Sequence, residues 1–425
     1  MNLQKTKLSR RRFLSLTAVA AGAVVAPALV PASALGLDDT IAPTNRLALG
    51  CIGIGGRGNE DLGHFLRHKD IQFLAIADIW LKRREENKRR ADQHHNNNDC
   101  KMYRFMEELL DRQDIDVVLI ATGDRWHAMA TIMAAKAGKD IYCEKPCSLT
   151  IEESLMLSDT VNRYGRIYQA GTQRRSIENF QTAIRLAQSG KLGKLTAVHA
   201  NTLGPGTSHN WMEAQPEPAA EELDWDRWLG GCPWRPFNMS YVQGGWRGFY
   251  DFHGGGILEW GSHTVDLCQI ANQADDTVPI RYEPTPGGCD ATYANGVKLV
   301  MREGGWNGLG TCSVRFEGTE GWVETGDSGR MILGPESLLA ENKVCREAGT
   351  SADSHVINFL DCVRSRQTTR SHPKAVAQSH IASHAAYIAW QLGTTLDYDP
   401  VKNEFIGNEE ANRMRSRALR EPWRY

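Results

Sequence analysis

The feature that most constrains this chain is a strand–turn–helix–strand passage between Arg46 and Asp78. The apolar run from Leu47 to Ile54 reads as a buried strand, breaks at Gly55-Gly56-Arg57-Gly58 and passes into a helical segment from Asn59 to His68. A second apolar run, Phe73 to Ala77, ends at Asp78. Gly53, Gly55 and Gly58 hold the G-x-G-x-x-G spacing, and the acid lies about twenty residues further on, where it would accept from the ribose 2′-hydroxyl of NAD. Glycines at these places let backbone amides approach a pyrophosphate, and the following helix adds partial positive charge at its N-terminus. With 40 glycines in the chain the triplet alone is weak evidence. Strand, triplet, helix, strand and terminal acid in that order specify a dinucleotide-binding α/β fold. NAD is the expected cofactor and NADP is disfavoured, because Asp78 would repel a 2′-phosphate.

At 425 residues two domains are expected. A net charge of −2 gives no electrostatic reason to expect a nucleic acid or a membrane surface as partner. The ten cysteines include no C-x-x-C pair, and no cluster has metal-ligand spacing, so buried free thiols are expected and no metal. After export, one or two disulfides would be the alternative.

Residues 1–34 read as a targeting segment. Ser9-Arg10-Arg11-Arg12-Phe13-Leu14 precedes a weakly apolar run, Leu16 to Val30, and the small residues Ala32-Ser33-Ala34. Basic region, apolar region and small-x-small site define a signal peptide, and the paired arginines resemble a twin-arginine signal. The apolar run is short, Ala/Gly-rich and holds Pro27, which argues against a lasting membrane span; an uncleaved anchor is the alternative. Export in folded form, to the periplasm, would let a cofactor travel inside the protein. Residues 35–44 would form a linker arm.

The next buried strand, Asp116 to Ala121, ends in Thr122-Gly123-Asp124-Arg125-Trp126-His127, at the carboxyl edge where open α/β sheets bind ligands. A helix is expected from Ala128 to Ala137, then a short strand, Asp140 to Cys143, closed by Glu144-Lys145-Pro146. Arg83, on the charged helix after Asp78, could lie over an adenine. These motifs resemble those of the glucose–fructose oxidoreductase / inositol dehydrogenase / MocA-like (Gfo/Idh/MocA) oxidoreductases. The similarity continues through Gly171-Thr172-Gln173-Arg174, Gly190 to Lys194, Gly254-Gly255-Gly256 and Asp266, and resumes at Phe316 to Gly321 and in the C-terminal helices. Asp224-Trp225-Asp226-Arg227-Trp228-Leu229-Gly230 resembles the exported branch of that family.

The resemblance implies a Rossmann dinucleotide-binding domain, residues 45–170, followed by an α+β domain, residues 171–396, with a large mainly antiparallel sheet that walls the substrate and serves oligomerisation. Residues 397–425, polar and Arg-rich, would be a C-terminal arm. A homo-oligomer, dimer or tetramer, is expected. The resemblance also implies that Lys145 meets the substrate hydroxyl beside the nicotinamide and that the peptide before Pro146 is cis. It implies cofactor contacts from Gly53, Gly55, Gly56, Arg57, Gly58, Asp78, Arg83, Thr122, Asp124, Trp126, His127, Glu144, Lys145 and Gln173.

The sharpest pattern in the second half is Gly254 to Asp266. On a helix, Glu259 and His263 share a face at i and i+4, so the carboxylate could orient an imidazole that handles a proton near neutral pH. Relatives carry an acid and a histidine at this spacing as the catalytic pair; Glu259 stands where many have Asp. Asp266 reads as a structural partner. Six of the twelve tryptophans lie between Trp211 and Trp260, among glycines and prolines. Such aromatics either face a sugar ring or bury the loop's own backbone. Arg174, Trp211, Trp246 and Tyr250 are the candidate substrate contacts. The expected activity is hydride transfer between tightly held NAD and a secondary alcohol or ketone of a sugar, polyol or glycoside. The alternatives are an NAD-dependent glycosidase acting by transient oxidation and elimination, and a non-catalytic protein that retains nucleotide.

Overall fold

The computed structural model describes residues 41–42, 45–335, 337–340 and 353–425; the expected signal segment and most of the linker arm lie outside them, as does Cys345. Strands β1 (Leu47–Ile52), β2 (Ile71–Ala77), β3 (Lys101–Tyr103), β4 (Val117–Ile120), β5 (Asp140–Cys143) and β6 (Tyr168–Ala170) form a six-stranded sheet in the order 3-2-1-4-5-6. All its pairings are parallel. The central strands are buried along their length, which is why their sequences read as unbroken apolar runs. Helices α1 (Gly56–Phe65), α2 (Leu81–His95), α3 (Asp124–Lys136) and α4 (Ile151–Arg163) make the crossovers. Helix α3 begins at Asp124, four residues before the sequence-based start, so the Thr122–His127 turn is itself the helix entry. Thr150 caps α4, its hydroxyl accepting from the Glu153 amide at 3.1 Å.

Helix α5 (Glu178–Gln188) leads into the second sheet, β7 (Leu195–Asn201), β8 (Arg281–Thr285), β9 (Gly288–Thr292), β10 (Lys298–Arg302), β11 (Val314–Gly318), β12 (Trp322–Thr325), β13 (Met331–Gly334), β14 (Leu396–Asp399) and β15 (Glu404–Phe405). Its order is 13-12-11-7-10-9-8-14-15. Among the described residues only β7 and β10 run parallel; the other pairings of this sheet are antiparallel. Three helices pack over it, α5, α7 (Gly255–Ala271, after a short α6 at Trp225–Leu229) and α9 (Pro373–Leu392). Helix α7 is buried almost all round, so its apolar residues show no single stripe. Asp266 lies on it as a structural partner, holding the buried Arg175 guanidinium at 2.6 and 2.8 Å.

Three elements differ from expectation. The sequence from Gly310 to Phe316 reads as a strand, but the strand begins only at Val314, because Gly310 and Cys312 take left-handed backbone, φ +89° and +52°. The C-terminal stretch is not simply an arm: β14 pairs with β8 through Leu396 and Tyr282, and buried Tyr398 and Phe405 anchor it with ring centroids 5.1 Å apart. Helix α8 (Asp353–Ser365) returns to the first sheet, where Phe359 meets Phe65 and Tyr142 edge-on at 6.0 and 5.9 Å. The nine described cysteines are all buried and free, and no described helix is long and apolar enough to cross a membrane.

The turn after β1 is tightly bound to the end of β4. Gly53 has φ +71°, and a Cβ there would lie 2.5 Å from the Thr122 methyl and 2.6 Å from Thr122 Cα. Gly138 also has positive φ, +79°, but open space around it. Gly53→Ala therefore lowers the stability measured by urea unfolding by about 3 kcal/mol or more, and Gly138→Ala by only about 1 kcal/mol. Equal losses would show that contact with Thr122 does not constrain the turn.

Candidate active site

The glycine turn opens on a cleft of about 470 Å³ lined by Gly55, Gly56, Gly58, Thr122, Asp124, Lys145, Glu259 and His263. The first five groups come from the parallel-sheet half, with Lys145 just beyond β5; Glu259 and His263 come from α7. A smaller cavity around Gly53 and Asp78 shares Arg83, Thr122, Arg125 and Trp228 with the cleft. In it, Asp78 Oδ1 accepts from the Trp80 amide at 2.9 Å, while Oδ2 is buried without a partner. Burial raises this carboxyl, and Arg83 opposes the rise. A buried acceptor kept vacant in a cavity suits a hydroxyl donor. A Cβ on Gly56 would meet nothing within 4 Å, so the turn leaves room at the N-terminus of α1. These features fit a dinucleotide, with Asp78 on the ribose and the turn on the phosphates.

The other expected cofactor contacts divide into two groups. Arg83 stands at the junction of the two cavities, its guanidinium 5.0 Å from the Trp80 ring centre. Arg57, Glu144 and Gln173 also line the cleft, but much of their bonding is to one another. Arg57 donates to Glu60, Asp61 and Glu144 at 2.8, 2.7 and 3.4 Å, and Gln173 donates to Glu144 at 2.6 Å. Burial would raise the Glu144 carboxyl, but Arg57 and Lys145 bring it below its ordinary value; burial and Glu144 drive neighbouring Asp61 well above. His127 Nδ1 donates to the Pro146 carbonyl at 2.6 Å, bracing the cis Lys145–Pro146 turn, and burial brings its pKa down to about 4. Trp126 is buried and donates to the Arg227 carbonyl at 3.0 Å.

At the centre of the cleft Lys145 Nζ donates to Glu259 Oε1 at 2.9 Å and to the Glu259 carbonyl at 3.1 Å. The other carboxylate oxygen, Oε2, is taken by His253 Nε2 at 3.1 Å. Burial would raise the Glu259 carboxyl, but Lys145 and the His253 hydrogen bond hold it well below the usual carboxylate range. The expected Glu259–His263 pair is therefore not made by hydrogen bonding. His263 Nε2 instead accepts from Arg174 at 3.0 Å, and Arg174 is fixed by two bonds to Asp327 at 3.1 and 2.9 Å. Burial and the Arg174 charge push the imidazole well below its ordinary value, so it is neutral with its proton on Nδ1.

Sequence reasoning missed His253. The only signal was its position before the Gly254–Gly256 triplet, because its partner is set by how the loop folds back onto α7. His253, Glu259 and Asp124 each place one donor atom within 4.8 Å of the others, close enough to raise the question of a cation. The tautomer argues against one: His253 Nδ1 accepts from the Gly248 and Gly255 amides at 3.3 and 3.2 Å, so Nε2 carries the proton and has no lone pair to offer.

The aromatic stretch serves two ends. Trp225 and Trp228 stack at 4.7 Å and pack with Phe237, Tyr241 and Phe252 in the loop's own core. Trp228 and Trp246 also line the cleft, and the Arg125 guanidinium lies 3.5 Å from the Trp228 ring centre. Trp211 is exposed and edge-on to Trp234, while Tyr250 packs under Arg417 at 4.0 Å; neither lines the cleft. The same loop straps the nucleotide half. Leu81 and Arg125 donate to the carbonyls of Glu222 and Trp228 at 2.8 and 2.6 Å, and Arg104 bonds Asp224. The C-terminal tail holds the strap: Arg420 donates to Asp226 Oδ1 at 2.6 Å and to the Gly230 carbonyl at 2.9 Å, and Trp423 meets Trp126 edge-on at 4.9 Å.

Residues 47–172 match the Gfo/Idh/MocA group described as an oxidoreductase family with an NAD-binding Rossmann fold, and residues 180–425 match its C-terminal alpha/beta domain. Inositol 2-dehydrogenase 3 of Saccharopolyspora erythraea is 32% identical over 29% of this chain and 37% of its own length. Inositol 2-dehydrogenase of Salmonella typhimurium is 25% identical over 43% and 54%. The chain thus spans between a third and just over half of these curated relatives. The structure of the WlbA dehydrogenase from Chromobacterium violaceum, in complex with NADH and UDP-GlcNAcA, matches with a TM-score of 0.63 at 16% identity, covering 84% of this chain and 96% of that one; it supports the fold.

The His253 tautomer yields a direct test. Excess Mn²⁺ leaves the thermal unfolding midpoint unchanged to about 1 °C, whereas site occupancy at 100 times Kd would add about 2.7 kcal/mol. A shift of several degrees, abolished by His253→Ala, would mean that the trio takes a cation.

Proposed function

The chain belongs to the Gfo/Idh/MocA oxidoreductase family, and from that premise we propose that it transfers hydride between NAD and a secondary alcohol or ketone of a sugar, polyol or glycoside. One observation carries this reading: Lys145 from the nucleotide half and Glu259 and His263 from α7 line the same cleft as the glycine turn. Gly53, Gly55, Gly56 and Gly58 would hold the phosphates, and Asp78 Oδ2 the ribose hydroxyl. That vacant acceptor favours NAD over its 2′-phosphorylated form. When bound, the dinucleotide supplies the hydride acceptor or donor.

The chain's own residues then have distinct tasks. Lys145, held by Glu259, presents an ammonium donor to the substrate oxygen and favours its alkoxide character. Arg174 and His263 bound the second-half side of the cleft with polar groups. Trp246 gives an apolar face for the C–H side of a ring, while Trp228, its faces taken by Trp225 and Arg125, serves to exclude water. The similarity to the two inositol 2-dehydrogenases supports a substrate of the polyol and sugar class.

The strap and the tail that locks it support tight retention of the cofactor. Retention would in turn suit export of a folded, loaded protein through the twin-arginine machinery, as the Ser9–Leu14 motif leads us to expect. A non-exchanging cofactor would need a second carbonyl substrate to return it to its starting state.

Purification without added nucleotide, acid release and chromatography identify the bound dinucleotide; NAD is expected. Adding a panel of sugars, polyols and glycosides produces reduced-nicotinamide absorbance with at least one. Protein that neither carries nor binds a dinucleotide ends this reading. Free sugar released from a glycoside, with no net change in the nucleotide, moves it to the glycosidase. Retention has its own test: Arg420→Ala speeds dinucleotide release by about tenfold, equivalent to about 1.4 kcal/mol, in exchange against labelled NAD. An unchanged rate would show that the tail does not secure the strap.

A further inference from the structure

Of the carboxylate oxygens that line the cleft, one has no partner; His127 Nε2 and His263 Nδ1 are unpartnered too, but burial keeps both imidazoles neutral. Lys145 Nζ is engaged by Glu259 at two points, and both Glu259 carboxylate oxygens are occupied, by Lys145 and His253. The Nε2 lone pair of His263 is taken by an Arg174 N–H. Asp124 differs. It lines the cleft at the first residue of α3, is 3% exposed, and its Oδ2 is buried without a hydrogen-bond partner.

We propose that Asp124 is the residue that exchanges the proton of the substrate hydroxyl, with Lys145 acting as donor to the substrate oxygen rather than as base. This rests on the oxidoreductase reading above. In the oxidative direction the carbinol C–H bond breaks, and hydride with its electron pair passes to the oxidised nicotinamide dinucleotide. The O–H bond breaks in the same step and its proton goes to Asp124 Oδ2. The carbonyl product, reduced dinucleotide and protonated Asp124 balance atoms and electrons. The reductive direction returns the same proton to the new hydroxyl.

The charge environment agrees with this role. The groups facing Asp124 are His253 and Glu259 beside it, with Lys145 and Arg247 further round. Burial raises its carboxyl and Glu259 adds to the rise, while His253, Lys145 and Arg247 oppose it; the result is a group pushed up to about 7. The N-terminus of α3 also favours the carboxylate, and burial outweighs it. A group that titrates near the working pH is both able to take a proton and able to release it. Glu259, held far below neutrality, cannot do so. Two carboxyls in one cleft with their acidities driven apart divide the work between them: Glu259 orients Lys145 and Asp124 moves the proton.

The test uses the full-length protein and Asp124→Asn, a near-isosteric change that removes the titration. The first readout needs no substrate. Infrared difference spectra across a pH series show a protonated-carboxyl C=O band in the wild type that fades as pH rises through about 7. That band is missing in Asp124→Asn. The second readout is kcat with the compound found by the panel. Asp124→Asn lowers it roughly 100-fold or more, with dinucleotide content and unfolding midpoint retained. A carboxyl band that still fades through about pH 7 in Asp124→Asn, or a kcat within about fivefold of wild type, overturns the assignment to Asp124. Wild-type protein that turns over no compound overturns the oxidoreductase reading and this proposal with it. Wild-type turnover with an unaffected variant overturns this proposal alone.

Discussion

The arrangement of the cleft depends on the Lys145–Glu259 ion pair. It joins the turn after β5 to the first turns of α7, and both side chains are only 16% exposed. Removing one member of so enclosed a pair leaves the other charge stranded at a cost of about 3–5 kcal/mol. The cis turn at Pro146, braced from behind by His127, sets where the lysine emerges; the His253 bond sets the rotation of the carboxylate. The two halves of the chain are thereby registered against each other at the place where substrate and cofactor would meet.

Around that pair, polar groups are sorted by whether they have been satisfied. Arg57, Glu144, Gln173 and Asp61 largely saturate one another and stiffen the floor of the cleft. On the far wall Arg174, anchored by Asp327, satisfies Nε2 of His263. Two buried carboxylate oxygens without a partner, Asp78 Oδ2 and Asp124 Oδ2, belong to residues that line the two adjoining cavities. A buried acceptor without a partner is costly, so its persistence in a binding cavity is informative in a way that a saturated one is not. The aromatic loop closes the picture from outside: its tryptophans bury themselves, and in doing so bring Trp228 and Trp246 to the cleft wall.

Most of the first sheet was legible from the sequence. Its strands are short apolar runs closed by glycine or by a charged turn, and local patterning suffices where both faces of a strand are buried. The second sheet was harder. β8 and β9 carry Pro284, Thr285 and Asp290 among few large apolar residues, and β14 and β15 lie in a stretch whose polarity hides two core aromatics, Tyr398 and Phe405. Glu259 and His263 were legible as site residues by spacing, but their partners were not. Helical spacing puts two side chains on one face without deciding whether they face each other or other elements. His253 lies six residues from Glu259 in a loop, where no periodicity links them.

The sequence by itself determined the nucleotide-binding turn, the acid that follows it, the lysine at the end of β5 and the group of relatives to which the chain belongs. All of these are set by contiguous residues whose backbone requirements are local. Only the tertiary structure decided which groups the site leaves free. It gave Lys145 and His253 to Glu259, and Arg174 to His263. It folded the tail over the strap and kept one oxygen each of Asp78 and Asp124 vacant. Apart from the His253–Glu259 bond, the hydrogen bonds among those outcomes join residues 89 to 194 positions apart, and all depend on burial that strengthens or removes a charge according to what packs beside it.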